Sequence, residues 1–96
     1  MIYTAFSQVN PSLPVNEYTD IVTLVFRMRD TSKLQIYSTS FSTSVYPNNW
    51  GLLEISKGTY DFNKVVFTYQ VNGTTYYEYH GAVNSTGNFT GWKLIE

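Results

Sequence analysis

The 96-residue sequence predicts one small domain built on an antiparallel β-meander of about four to five strands. Three observations predict it. Apolar and polar residues alternate in several short runs. Asn, Gly and Pro separate those runs. Asn72-Gly73 sits between two β-rich aromatic stretches, a strong hairpin signal. One segment ahead of these runs, residues 16–33, admits either a helix or a strand.

Along the chain, "VNPSLPVN" (residues 9–16) holds two prolines and two asparagines, which favour extended and turn geometry. Residues 1–15 therefore read as an extended linker, and residues 16–96 as the module. "MIYTAFSQVNPSLP" has no basic n-region and no long apolar run, unlike a signal peptide. In "NEYTDIVTLVFRMRDTSK", Ile21, Leu24, Val25 and Met28 form one helical stripe. Asn16 is a candidate N-cap, and the acids precede the arginines as the helix dipole favours. Yet Val22, Leu24, Phe26 and Met28 also alternate, and β-branched residues are frequent, as in a strand. The residues alone leave both readings open.

"KLQIYSTSF" alternates, with Leu34 and Ile36 on one face and Gln35, Tyr37 and Thr39 on the other. "YPNNWG" reads as a turn, "LLEIS" as a strand, and "KGTYDFN" as a loop. In "KVVFTYQVNGTTYYEYHGAV" a two-residue loop would set Phe67 opposite Glu78. A three-residue loop, Val71-Asn72-Gly73 with Gly73 left-handed, instead pairs Phe67 with Tyr77, Val65 with Tyr79 and Tyr69 with Thr75. Val65, Phe67, Tyr69, Tyr77 and Tyr79 then share one face, and Glu78 joins Val66 and Thr68 on the other. A one-residue slip flips every side chain, so burial selects the odd loop. "NSTG" is a second turn. "NFTGWKLIE" is a final strand, with Trp92 and Leu94 on one face.

Composition narrows the function. Charged residues are 14% of the chain, net charge is −1, and no basic stripe exists to attract a phosphate backbone. Nucleic acid is not an expected partner. No apolar run reaches the ~20 residues of a membrane-spanning helix. Cysteine is absent, which excludes disulfides and thiolate metal sites.

Catalytic constellations are sparse. The single histidine, His80, stands beside Glu78 with no nucleophile in its motif. Glu54 and Glu78 would be needed as a glycosidase pair, but two strands of one meander make them solvent-face charges. There is no phosphate-binding glycine loop and no H-x-x-x-H, and Asp30 and Asp61 lie outside calcium-loop spacing. The expectation is a non-enzymatic protein without cofactor or metal. Sequons at Asn72, Asn84 and Asn88 fall in turns and matter only in a secretory pathway.

Aromatics, by contrast, reach 18%, with nine tyrosines. Ring faces with amide side chains beside them suit saccharides. Tyr46, Asn48, Asn49 and Trp50 form such a cluster and are the candidate ligand-binding residues. Trp50 also reads as a cap on the core at the strand entrance, the weightier of its two readings.

The order of the pieces is informative: "MRDTS", "KLQIYS", "PNNWGLLEISKG", a hairpin, then "GNFTGWKLIE". It resembles the pyocin-knob-like C-terminal modules of bacteriophage tail fibre and baseplate proteins. The matching residues are Pro47, Asn48, Trp50, Gly51, Leu52 and Leu53, then Gly91, Trp92 and Ile95, within a resemblance covering about residues 16–96. The Tyr-Arg pair frequent in the penultimate strand of such modules is replaced by "YYEYHG". The resemblance implies an α+β fold, with one N-terminal helix over about residues 17–31 packed on the sheet face bearing Phe67, Tyr77 and Trp92. It makes Trp50 and the two leucines the structural start of a central strand. It implies a virion component at the host cell surface, binding host cell-surface saccharide, and assembled with other tail subunits as a homo-oligomer, a trimer. Alternatives are a structural trimerisation or docking module of the tail, and a small phage protein that binds a host protein.

Overall fold

The computed structural model describes residues 20–59 and 62–95, and the backbone of residues 2–5. Among them are six strands and one helix. The strands are β1 (Ile2–Ala5), β2 (Ser32–Ser38), β3 (Gly51–Lys57), β4 (Asn63–Val71), β5 (Thr75–Gly81) and β6 (Lys93–Ile95); the helix is α1 (Ile21–Arg27). They form one antiparallel sheet in sequence order. The domain is α+β but mostly β.

Two expectations change at the N-terminal side. Within the segment read as linker, Ile2–Ala5 pairs with β2, so the helix follows the first strand instead of preceding the sheet. The rest of that segment and Asn16 lie outside the described residues. The helix is also shorter than residues 17–31. Asp20 caps it, accepting from Val22 N at 3.4 Å. It ends because Met28 is extended and Thr31 takes a left-handed φ of 59°, which turns the chain into β2. The apolar stripe nonetheless holds: Ile21, Leu24, Val25 and Met28 are all buried. Lys57 Nζ donates to Val25 O (2.7 Å) and Met28 O (2.8 Å), satisfying carbonyls that the helix end leaves open.

Register follows the alternation. Leu34–Ile55–Val65 and Ile36–Leu53–Phe67 run across β2, β3 and β4 on the buried face. In the hairpin, Phe67 faces Tyr79, Tyr69 faces Tyr77 and Val71 faces Thr75. The loop is odd in length, and Glu78 opposes Thr68 on the other face, as burial requires. Its residues are Asn72-Gly73-Thr74, one position later than expected, so each pairing shifts by two. Asn72 and Gly73 both adopt positive φ, the conformation those two residue types tolerate best.

Seven helical residues span only about 10 Å and leave much of the sheet to other cover. The segment between β2 and β3 supplies it. Phe41 and Tyr46 turn inward, 4.7 Å apart, over Phe67 at 5.2 and 5.8 Å. Trp92 lies just outside β6, not within it. Its ring is half-buried 6.0 Å from Phe67, and its Nε1 donates to Val45 O at 2.8 Å. Tyr77, expected under the helix, is 36% exposed and rests against Tyr69 instead. The Asn63 side chain bonds both Val83 N and Val83 O, fastening the segment between β5 and β6 to β4.

Candidate functional site

The buried face uses one parity of each strand. The other parity forms an open face, and there Tyr37, Leu52 and Thr68 align in one row across β2, β3 and β4. Gln70 and Tyr76 pair one step further towards the hairpin end. Trp50 leaves the loop before β3 and comes to rest edge-on to Tyr69, with centroids 5.7 Å apart at 76°. These side chains enclose a cleft of about 290 Å³. Tyr37 and Tyr76 stand at opposite sides, 42% and 65% exposed. Three strand spacings and a two-residue offset along the strands separate them, about 16 Å. Leu52, Thr68 and Gln70 make the floor.

Each feature of this cleft has a local cause. Gly51 allows the chain to enter β3 hard against the core: a Cβ there would lie 2.7 Å from Phe67 ring carbons. Asn48 Nδ2 donates to Trp50 O at 2.9 Å and so holds the backbone of the tryptophan. Phe41 N donates to Asn49 O at 2.8 Å, which closes the base of the loop.

The four residues singled out from sequence thus separate. Trp50 lines the cleft. Asn48 braces it from behind, and the Asn49 side chain is exposed. Tyr46 is 3% exposed, with its ring against Phe41, Phe67 and Trp92. It presents no ring face to a ligand, because the loop folds inward to cover what the short helix does not. Burial, helped by the Asp20 carboxylate, raises its phenol above the ordinary tyrosine range. Desolvation and a hydrogen bond with Tyr79 raise Tyr69 likewise.

Sequence reasoning missed Tyr37, Thr68, Gln70 and Tyr76. The available signal was parity. Tyr37 alternates against Leu34 and Ile36, and Tyr76 against Tyr77 and Tyr79, so both must leave the core face. Their convergence, however, follows from strand order.

On the same open face His80 Nε2 lies 2.5 Å from Glu78 Oε2. Among the described residues no three His, Cys, Asp or Glu side chains gather as a metal site, and no helix is long and apolar enough to cross a membrane. Comparison of the chain with protein-family models, curated proteins and solved structures finds no match.

Proposed function

We propose that the chain is a non-enzymatic host-recognition module of a phage tail, and that the cleft between Tyr37, Trp50 and Tyr76 binds cell-envelope saccharide. The observation supporting saccharide binding is the cleft itself: exposed aromatic walls around a hydroxyl and an amide. A pyranose has apolar faces that stack on rings and a rim of hydroxyls that needs short polar partners, here Thr68 and Gln70. A shallow site of this kind gives weak single-site affinity, on the order of millimolar to high micromolar. Copies linked on a virion raise the effective affinity without new contacts, which suits assembly as a homo-trimer. The tail setting and the trimer rest on the motifs "PNNWGLLEISKG" and "GNFTGWKLIE".

A second reading, a docking or trimerisation piece of the tail, is favoured by the β6 edge. Leu94 and Ile95 are there 40% and 39% exposed.

The two readings separate on a Tyr37→Ala/Tyr76→Ala variant. Both side chains are exposed, so its thermal midpoint is expected to stay close to that of the parent, as for surface changes of about ±0.5 kcal/mol. A multivalent fusion of the variant is expected to lose adsorption to immobilised bacterial cell-envelope polysaccharides that retain the parent. Undiminished adsorption by the folded variant excludes this cleft. Retained trimerisation with no polysaccharide adsorption by either protein supports the docking reading.

A further inference from the structure

The two outer walls of the cleft are widely spaced. Tyr37 stands on β2 and Tyr76 on β5, with backbone positions about 16 Å apart. Two rings that clamp one pyranose stand about 7–8 Å apart, one van der Waals contact on each of its faces. The backbone separation here is about twice that. Groups that suit a sugar fill the interval. Leu52 is the cross-strand neighbour of Tyr37, Thr68 of Leu52, and Gln70 of Tyr76. The Trp50 ring stands part-way along, at the entrance of β3. Trp50, Leu52, Thr68 and Gln70 are half-buried, whereas Tyr37 and Tyr76 are exposed. The cleft is therefore a trough across the strands, with a ring at each end and a third between. Among the described residues, β6 pairs only with Glu78, Tyr79 and His80 of β5, so no strand lies beside Tyr76 at the far end. A chain longer than the trough can leave there.

A pyranose adds about 5 Å to an extended chain, close to one strand spacing, so the interval from Tyr37 to Tyr76 is about three such steps. We infer that the cleft binds an extended stretch of polysaccharide chain, about three to four units long, running across the strands from Tyr37 to Tyr76, and not a single terminal sugar. This inference rests on the cleft being the saccharide site. The outer units stack on Tyr37 and Tyr76. The inner ones meet Trp50 and Leu52 with their apolar faces, and the Thr68 hydroxyl and Gln70 amide with their hydroxyls.

The test is a titration with size-fractionated fragments, one to six units long, made by partial acid hydrolysis of bacterial cell-envelope polysaccharides. Affinity is expected to rise about 5-fold for each further ring the fragment meets, and so about 25-fold from one unit to four. From four units to six it is expected to rise only by the number of equivalent frames in which the longer chain can sit. Tyr37→Ala and Tyr76→Ala are each expected to lower tetrasaccharide affinity about 5-fold, to shorten the length at which affinity levels, and to leave the thermal midpoint close to the parent's. A monosaccharide that binds the parent as tightly as the tetrasaccharide overturns the inference while leaving the site in place. So do equal losses for monosaccharide and tetrasaccharide in both variants, which would put the two rings around one unit. Failure of every fragment and of the intact polysaccharides to bind overturns the saccharide reading itself.

Discussion

Phe67→Ala is expected to lower stability by about 3–5 kcal/mol, the usual range for emptying a buried aromatic site. Phe67 is fully buried at the centre of β4. Phe41, Tyr46, Trp92 and Tyr69 surround its ring at 5.2 to 6.4 Å. These neighbours come from three separate places in the chain: the loop before β3, the segment before β6 and β4 itself. A 96-residue domain has a total stability of about 5–14 kcal/mol, so the loss removes a large part of it. Urea denaturation checks this, with Phe67→Leu as the milder companion should the alanine variant fail to fold. The leucine variant is expected to unfold at lower urea than the parent. An unchanged midpoint in either variant contradicts the central role given to this ring.

Gly51→Ala is expected to cost about 2–4 kcal/mol through overpacking and backbone strain. The new Cβ would stand 2.7 Å from two Phe67 ring carbons and 2.8 Å from Thr68 O. The carbonyl belongs to the backbone of β4 and cannot step aside, and the ring can move only into Phe41, Tyr46 and Trp92. The φ of 155° is itself one that side-chain-bearing residues rarely adopt. Because Gly51 directly follows Trp50, the same change displaces a wall of the cleft. Binding is expected to weaken beyond what the lost stability explains. Gly73→Ala is the control: its φ is also positive, but nothing lies within 4 Å of the new Cβ. It should cost only the left-handed backbone penalty, about 1–2 kcal/mol. Calorimetry of the two variants compares them directly. Equal midpoints would show that the contact with Phe67 does not restrain the fold.

Much of the sheet was readable from the chain because period-two alternation leaves little freedom once one face is buried. Leu34 and Ile36, the odd length of the hairpin loop, and the placement of Glu78 on the face of Val66 and Thr68 all follow from that; the exact pairing, shifted by two, does not. The helix was less readable. Leu24 and Met28 of its stripe also belong to the alternating set of a strand, and its end depends on a left-handed Thr31 that no local motif announces. The loop between β2 and β3 was misread at Tyr46 for a tertiary reason. A short helix leaves the sheet uncovered, and the nearest aromatic residues fold inward to fill the gap. The cleft itself joins Tyr37 to Tyr76 across four strands and 39 positions of sequence. Only the strand order brings them to one place.

The cleft is tested most directly by the two indole N–H signals of the protein, which has two tryptophans. Trp50 lines the cleft, while the Trp92 indole is held on Val45 O behind the core. In a nitrogen-15 correlation spectrum, titration with cell-envelope oligosaccharides is expected to shift the Trp50 indole signal progressively and saturably, together with the backbone amides of Thr68, Gln70 and Tyr76. The Trp92 signal is expected to stay fixed. Movement of Trp92 with Trp50 stationary, or no movement of either across the whole panel, would contradict the assignment of this cleft as the saccharide site.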